Sequence, residues 1–339
     1  MKNLLLILTS TILFSCGSNS SISQTTNSLV VTGKSATKFA NTITTKELKK
    51  YLYAFASEEF EGRETGELGQ KKAAEYLKNF YIEHQIASPY GGTDYFQSIP
   101  TEHLKSGLNP SENVVAFIKG SEKPDEIIVI SAHYDHLGIN GDKIYYGADD
   151  DGSGTVAILE IAEAFQKAVL VGNGPKRSIL FLHVTGEEKG LLGSKYYTNF
   201  PIFPLKNTVT DLNIDMIGRV DEAHTNSPNF VYLIGSDKLS TELHDLSEEI
   251  NARFTKLNLD YTFNDENDPN RFYYRSDHYN FAKNNIPIIF YFNGTHEDYH
   301  KPTDTPDKIN YEILAKRAQL IFYTAWEIAN REHRIEVDK

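Results

Sequence analysis

The fold is decided by the stretch RSILFLHVTGEEKG, which runs from Arg177 to Gly190. Its apolar part, SILFLHV, is too short for most helices and is typical of a buried strand in a parallel sheet. Glu187 and Glu188 stand side by side where that strand should end. Neighbouring carboxylates repel and raise each other's pKa, and only Lys189 lies close in the sequence. The compensating positive charge must therefore come from another part of the chain.

Three more apolar runs have the same character: EIIVISA, TVTDLNIDMIG and IPIIFYF. Helical patterns are interspersed with them over Gly69–His84, Thr155–Val169 and Leu191–Phe200, and from Tyr311 onward. A first helix begins after Thr44, which has capping-box spacing with Glu47. Strands that alternate with helices predict an α/β sandwich around a largely parallel sheet.

The composition fits one large folded unit. The chain has 339 residues, of which 40% are apolar and 12% aromatic, as expected for a single α/β domain with a substantial core. A formal charge of -12 argues against a nucleic acid or an anionic membrane bound through bulk electrostatics. Small or neutral partners are favoured.

The N-terminus MKNLLLILTSTILFSC indicates an export signal, with Lys2 ahead of an apolar core from Leu4 to Phe14. This core is shorter than the roughly 20 residues that span a bilayer. Residues 1–16 resemble a bacterial lipoprotein signal, with cleavage before Cys16 and acylation of that residue. The alternative is an ordinary secretory signal with a chance cysteine. We expect a protein that is lipid-anchored in the bacterial cell envelope, at the periplasmic face or the cell surface.

Cys16 is the only cysteine, so the mature protein cannot use disulfides or thiolate metal ligands. Any metal must be held by His, Asp and Glu. Residues 17–43 are rich in Ser, Thr and Asn and are predicted to form a flexible tether, followed by a catalytic domain over residues 44–335. The polar segment Tyr261–Arg271 is expected to be an exposed loop, either an ordinary surface loop or a part of the site.

Polar residues follow each of the four predicted strands. The strand-end residues include His133, Glu187, Glu188, Asp215 and His300, and GADDDGSG adds Asp149, Asp150 and Asp151 before the helix that begins at Thr155. Ligands of open α/β sheets bind outside the carboxyl ends of the strands, so these groups should converge on one edge. Their carboxylates would repel there, and a divalent cation is the simplest remedy. Histidines among them favour zinc over magnesium or calcium.

Six motifs in this order resemble metallopeptidase family 28, the di-zinc exopeptidases that include bacterial leucyl aminopeptidases and glutamate carboxypeptidases. They are HYDH, GADDDGSG, TGEEKGLLGS, NIDMIGR, SDHYNF and DYHKPTDTPDKI. The resemblance covers the chain from about Thr45 to Asn330. It implies a three-layer α/β/α sandwich with a mostly parallel mixed central sheet.

The resemblance also implies a ligand set for two zinc ions per chain. His133 and Asp215 would hold one zinc, Glu188 and His300 the other, and Asp150 would bridge both. Asp150 is chosen among the three adjacent aspartates because the family's bridging residue stands two positions before the Gly or Ala of the turn.

The question of the paired glutamates has an answer within this resemblance. Glu188 is a metal ligand, and Glu187 is free to act as the general base for a water activated by the two zincs. Tyr299 resembles the family tyrosine that stabilises the tetrahedral oxyanion, with a packing aromatic as the alternative. Asp135 is expected to fix the tautomer of His133.

Several neighbouring residues match no ligand position. Asp149 and Asp151 are interpreted as turn and helix-cap carboxylates, and His136 as a polar residue on the rim of the cleft. His183 and His278 have no ligand match either, although His278 lies near the cleft.

These features predict a lipid-anchored zinc aminopeptidase that hydrolyses N-terminal residues from peptides. One alternative is a carboxypeptidase or dipeptidase of the same family, in which Arg275 would hold a substrate carboxylate. The other interpretation of Arg275 is a surface ion pair. A glutaminyl cyclase, which shares the fold but binds one zinc, and a non-catalytic binding module are two further alternatives. The presence of both His133 and Asp215 argues against the cyclase. Oligomeric state stays open.

Overall fold

The computed structural model describes residues 35–339 and has an eight-stranded mixed sheet at its centre. The strands in chain order are β1 (Phe96–Ile99), β2 (Ser111–Ile118), β3 (Lys123–His133), β4 (Ile139–Asn140), β5 (Lys143–Ile144), β6 (Arg177–Val184), β7 (Thr208–Ile214), β8 (Phe230–Ile234), β9 (Asn258–Asp260) and β10 (Ile288–Phe292). Their order across the sheet is β1-β2-β6-β3-β7-β10-β8-β9, and β4 pairs with β5 in a small separate hairpin.

Helices cover both faces of the sheet. They are α1 (Thr45–Phe55), α2 (Leu68–Glu83), α3 (Gly154–Leu170), α4 (Leu192–Asn199), α5 (Thr241–Ile250), α6 (His278–Ala282) and α7 (Tyr311–Asn330). The apolar residues of α1, α2, α3, α5 and α7 pack into one core, and those of α4 and α6 into another. The predicted α/β fold, with helices flanking a mixed sheet, is confirmed. None of the helices over residues 35–339 has the length and apolar character that crossing a bilayer requires.

The sequence of strand β3 explains why this strand is buried on both faces of the sheet. Ile128 and Ile130 pack into the larger core, whereas Ile127 and Val129 pack into the core on the opposite face. Successive side chains of a strand point to opposite faces, so a strand covered by helices on both sides must be apolar at every position. The run EIIVISA comes close to this requirement: Ile127 to Ile130 are apolar, and the hydroxyl of the buried Ser131 is satisfied by hydrogen bonds to side chains of β7.

Four strands share one direction at the centre of the sheet. Strand β3 pairs in parallel with both β6 and β7, and β7 pairs in parallel with β10. These are the four strands predicted from the apolar runs, and their carboxyl ends lie at the same edge. The outer strands β2 and β8 run antiparallel to their inner neighbours. The residues that follow the four parallel strands therefore meet at one edge.

The predicted start of the first helix is confirmed. The hydroxyl oxygen of Thr44 accepts the main-chain N–H of Glu47 at 3.2 Å and donates to its carboxylate at 3.0 Å, so the capping box is partly formed. Helix α1 buries Leu48, Leu52 and Phe55.

The folded body begins earlier than predicted. Residues 35–40 are helical, and Phe39 is buried and stacks on Trp326 at a ring distance of 5.5 Å. Ser35 accepts a hydrogen bond from the side chain of Asn173, which lies just beyond the end of α3. The prediction of a flexible tether is therefore wrong for residues 35–43. Residues 17–34 and the predicted lipid attachment at Cys16 lie outside the described residues.

Candidate metal centre

The first corner of the site is formed at the ends of β3 and β7. The Nε2 atom of His133 lies 3.1 Å from Oδ1 of Asp150 and 3.6 Å from Oδ1 of Asp215. His133 is the last residue of β3, Asp215 directly follows β7, and Asp150 lies in the turn before α3. All three side chains are buried. Their ligand atoms lie within 4.8 Å of one another, so this group could hold a metal ion.

The second corner shares Asp150 with the first. The Nε2 atom of His300 lies 3.0 Å from the other carboxylate oxygen of Asp150, Oδ2, and 3.3 Å from Oε2 of Glu188. The side chain of His300 is 37% exposed, whereas that of Glu188 is only 5% exposed. The structure thus brings together all five predicted ligands, with one oxygen of Asp150 directed to each corner.

His136 is not on the rim of the cleft, and that interpretation is wrong. Its side chain is fully buried, and its Nδ1 atom lies 2.9 Å from Oε1 of Glu188 and 3.8 Å from Oδ2 of Asp150. His136, Asp150 and Glu188 form a second group that could hold a metal ion. The spacing HxxH on a strand end was the available signal, but it does not tell whether the second histidine turns inward.

The buried polar atoms at the two corners have few hydrogen-bond partners. Those that make no hydrogen bond of suitable geometry, although they lie close to one another, include Nε2 of His133, Nδ1 of His136, Oδ2 of Asp150 and Oε1 of Glu188. Buried polar atoms in folded proteins are nearly always hydrogen-bonded, and exceptions need an explanation. Imidazole nitrogens and carboxylate oxygens that face one another are the ligands that zinc prefers when no thiolate is available. The residues at the site therefore fit a metal centre.

The positive charge that compensates the paired glutamates does not come from Lys189. Its ammonium group pairs with Glu64, with Nζ 2.9 Å from Oε1. Instead, His136 and His300 both contact Glu188, and they lower its pKa against the effect of burial and of Asp150. Glu188 is thus stabilised as a carboxylate, as a metal ligand requires.

Glu187 stands in a different environment. Its main-chain N–H donates to Oδ1 of Asp135 at 3.1 Å, and its side chain lines the cleft beside Asp215. Desolvation raises the pKa of Glu187 well above its usual value, and the negative charges of Asp215 and Glu188 add to this effect. The two adjacent glutamates therefore differ in proton affinity, which is the condition for one to bind metal and the other to accept a proton.

Asp135 organises the floor of the site. Its carboxylate accepts the hydroxyl of Thr65 at 2.7 Å and the N–H of Glu187 at 3.1 Å. The Nδ1 atom of His133 lies 3.1 Å from the main-chain oxygen of Asp135 but 3.7 Å from its carboxylate. The contact that orients His133 is therefore made by the main chain of Asp135, and its carboxylate orients the loop of Glu187.

A second network holds the turn of Asp150 from behind. The Oδ2 atom of Asp304 accepts the main-chain N–H groups of Asp149 at 2.9 Å and of Asp150 at 3.2 Å. The Nε2 atom of His296 lies 3.1 Å from Oδ2 of Asp149. His296 and Asp304 flank His300 in the segment after β10, so this segment is tied to the turn that carries Asp150. Motif spacing could not reveal these bonds.

Asp151 has the role predicted for it. Its Oδ1 accepts the N–H of Gly154 at 2.9 Å, in the first turn of α3, and also the N–H of Met216 at 3.0 Å. The two other histidines without a ligand match are buried outside the two corners. Nε2 of His183 lies 2.6 Å from the hydroxyl of Tyr81, and Nε2 of His278 donates to the main-chain oxygen of Tyr273 at 2.8 Å. Burial lowers the pKa of each to about 3.

A small cleft opens next to the metal corners. Besides Asp150, Glu187, Asp215 and His300, its walls include Met216, Phe272, Phe290, Phe292 and Tyr299. The ring of Tyr299 stacks on that of His300 at 3.9 Å, so the tyrosine both packs and lines the cleft.

The predicted loop reaches the back of this cleft. Phe263, within the segment Tyr261–Arg271, packs against Phe272 with a ring distance of 4.8 Å. Arg275 is exposed at the cleft and places its guanidinium over Phe272 at 4.8 Å. Within residues 35–339, no carboxylate lies within 4.0 Å of the Arg275 guanidinium, so the surface ion pair considered for it is not formed.

Known proteins with similar sequences indicate the family of this chain. The chain is 26% identical to a probable leucine aminopeptidase of Trichophyton verrucosum over 307 residues, covering 83% of this chain and 80% of that protein. A vacuolar membrane protease of Verticillium alfalfae is 41% identical over 85 residues, covering 25% of this chain and 8% of that protein. Several fungal probable zinc metalloproteases also align with this chain over only a small part of their own length, less than a quarter.

Solved structures show the same fold. The Legionella pneumophila LapA aminopeptidase superposes with a TM-score of 0.68 at 21% identity, covering 89% of this chain and 76% of that chain. A glutaminyl cyclase of Porphyromonas gingivalis superposes with a TM-score of 0.63 at 18% identity, covering 83% and 98%. The fold alone therefore does not distinguish these activities. The model of peptidase family M28 matches residues 113–325, more than half of the chain. The chain belongs to peptidase family M28.

Proposed function

We propose that this protein is a zinc-dependent aminopeptidase with two metal ions per chain. The observation that carries the proposal is the division of Asp150 between two corners, with Oδ1 3.1 Å from His133 and Oδ2 3.0 Å from His300. A carboxylate that faces a separate histidine with each oxygen is suited to bridge two cations. Relatives described as zinc metalloproteases and as a leucine aminopeptidase support the same conclusion.

The proposed ligands are His133 and Asp215 for one zinc, Glu188 and His300 for the other, and Asp150 for both. His136 lies close enough to Glu188 to orient that carboxylate or to complete the second corner. When bound, two zinc ions would lower the pKa of a water and polarise the scissile carbonyl.

The protein's own side chains would move the proton and orient the substrate. Glu187 would accept a proton from the attacking water and return it to the leaving amine, a role that its raised proton affinity and its position in the cleft both support. The Asp135 carboxylate holds the main chain of Glu187 in place. Tyr299, which lines the cleft beside His300, would donate its hydroxyl to the developing oxyanion.

The cleft walls favour an apolar side chain at the cleaved bond. Phe272, Phe290, Phe292 and Met216 all line the cleft and pack into one apolar cluster. A leucyl or phenylalanyl side chain would bury its apolar surface there, which contributes about 25 cal/mol per Å². Arg275 at the mouth supports a second candidate, a carboxypeptidase or dipeptidase whose substrate carboxylate it would bind.

We also propose that peptides are its partners and that it acts in the bacterial cell envelope, attached through a lipid on Cys16. The support for this location is the sequence order of Lys2, a short apolar core and Cys16.

Two measurements on the protein truncated after Cys16 test the proposed function. Elemental analysis after zinc reconstitution should give about two zincs per chain. A panel of aminoacyl and carboxy-terminal chromogenic substrates should give turnover of leucyl substrates with a free amine and none of their N-acetylated forms. A stoichiometry of one would favour the cyclase, cleavage of only carboxy-terminal substrates would favour the carboxypeptidase, and absence of zinc would contradict a metallopeptidase.

A further inference from the structure

A cluster of three glutamates lies apart from the metal centre, between the start of α1 and the middle of α3. Glu47 belongs to the first turn of α1, and Glu160 and Glu163 to α3. One oxygen from each lies within 4.8 Å of the others. Like charges this close destabilise the fold unless something compensates them.

Glu160 is the least compensated of the three. It is only 1% exposed, and the residues around it on α3 are buried. Its Oε2 accepts the main-chain N–H of Thr44 at 3.1 Å, but its Oε1 is buried and has no hydrogen-bond partner. Burying an ionised carboxylate costs several kcal/mol unless it is paired, so a partner for Oε1 is required.

The neighbouring carboxylates are only partly compensated. Lys167 contacts Oε1 of Glu163 at 3.0 Å, while Oε2 of Glu163 is buried without a partner. His84 lies 3.8 Å from the same Oε1. Glu47 uses one oxygen to accept the hydroxyl of Thr44 at 3.0 Å. Carboxylates from two helices therefore lie close together, and two of their buried oxygens, Oε1 of Glu160 and Oε2 of Glu163, have no hydrogen-bond partner.

A proton and a cation are the two possible compensations. Burial raises the pKa of Glu160 to about 8, so a proton can occupy its carboxylate at neutral pH. A proton on Glu160 does not compensate the other two carboxylates, for which Lys167 is the close cation. A divalent cation would compensate all three, and Glu47 and Glu163 are exposed enough to let it enter.

We propose that Glu47, Glu160 and Glu163 form a site for a hard divalent cation of the calcium type, separate from the zinc centre. Calcium prefers oxygen ligands, tolerates irregular geometry and completes its shell with water. The ion ties the N-terminus of α1 to α3, the helix whose first turn follows Asp150. Its role is structural and is independent of the proposed peptidase activity.

The test uses the zinc-loaded protein in calcium-free buffer, titrated with calcium chloride in a calorimeter and followed by thermal unfolding. The wild type should bind about one calcium in a saturable manner, and its Tm should rise by a few degrees. Glu160→Gln, which keeps the side-chain size, should weaken calcium binding at least tenfold and abolish the Tm increase. Glu75→Gln, on the exposed surface of α2, is the matched control and should behave as the wild type.

If Glu160→Gln does not fold, Glu163→Gln, at a half-buried position, takes its place with the same expected loss. No saturable binding by the wild type up to about 10 mM calcium, beyond the weakest range of protein calcium sites, would overturn the proposal. Equal affinity in the wild type and in the Glu160 or Glu163 variant would also overturn it. Calcium binding is measured independently of peptidase activity. If the wild type showed no peptidase activity, the calcium titration would still give its own result, so one proposal can fail while the other holds.

Discussion

The carboxylate of Asp304 accepts the main-chain N–H of Asp150, with Oδ2 3.2 Å from the nitrogen. This bond links the segment after β10, which carries His300, to the turn before α3. The two proposed ligands that face each other across the second corner are therefore held by one interaction that involves neither of their side chains.

Replacing Asp304 by alanine should loosen the metal centre without removing a ligand. The N–H groups of Asp149 and Asp150 would lose their acceptor, and the turn could shift relative to His300. Losses of this kind typically lower metal affinity by about 10- to 100-fold. Zinc affinity measured by competition with a chelator checks the expectation. Asp307→Ala, an exposed position three residues later, serves as the control, and equal affinities in both variants would contradict the role of Asp304.

The two adjacent glutamates should respond differently to substitution. Glu187→Gln removes the proton acceptor but leaves the proposed ligands, so zinc content should persist while turnover falls by about 10²- to 10⁴-fold. Glu188→Ala removes a ligand, so one zinc should bind weakly and activity should recover partly with excess metal. Zinc content and kcat of both variants decide. Metal loss in Glu187→Gln with retention in Glu188→Ala would mean that the roles are exchanged.

Phe272→Ala should change which substrates are preferred. The cleft would lose one of its apolar walls, the Phe272 ring, against which Phe263 and Arg275 pack. The value of kcat/KM for leucyl substrates should fall by about 10- to 200-fold, the usual range for apolar pocket contacts, and that for alanyl substrates much less. Tyr274→Ala, at a position that is 45% exposed, is the control. A uniform loss on both substrates would exclude a role in specificity.

Asp211 predicts a pH dependence of stability. It is fully buried on β7, Ser131 donates to its Oδ1 at 2.8 Å, and its Oδ2 has no partner. Desolvation raises the pKa of Asp211 well above its usual value of about 4, so the folded state binds the proton more tightly than the unfolded state. The stabilisation that the protonated Asp211 carboxyl gives to the folded state is therefore fully present below about pH 4. It is lost as the pH rises toward the folded-state pKa of Asp211.

Asp211→Asn should remove this loss. The variant should be more stable than the wild type at pH 7, where the wild-type carboxyl has lost this contribution, and the difference should shrink at pH 4. Urea unfolding at both pH values gives the free energies of unfolding, with exposed Asp142→Asn as control. A gain of equal size at both pH values would show that the carboxyl does not titrate as argued.

Cys16 tests the proposed attachment to a membrane. If it is acylated, the full-length protein should partition with membranes, and Cys16→Ala should release it or block its processing. Fractionation followed by immunodetection measures the distribution. Unchanged partitioning of the variant would exclude a lipid on this residue.

The central strands and the ligand cluster could be predicted because both follow from local pattern. Runs such as EIIVISA contain four consecutive apolar residues, Ile127 to Ile130, and a parallel sheet brings the carboxyl ends of such strands to one edge whatever the loops do. The positions of His133, Asp215 and Glu188 follow directly from that edge.

Other features depend on contacts that the pattern does not contain. The path of the chain after β3 decides that His136 points inward. The carboxylate of Asp304 accepts a hydrogen bond from Asp149, which lies 155 positions earlier in the sequence. The segment 35–43 is polar on average, so its composition indicates a tether. Only the packing of Phe39 on Trp326 reveals that it is folded.

The hydrogen bond from Asn173 to Ser35 shows on which side of the molecule the described part of the chain begins. Asn173 lies just beyond the C-terminal end of α3, while the turn of Asp150 precedes the N-terminal end of the same helix. A helix of 17 residues is about 25 Å long. Ser35, the first described residue, therefore lies on the side of the folded body remote from the cleft. If Cys16 carries the proposed lipid, the described part of the chain begins on the face opposite the metal centre, where it does not obstruct the cleft.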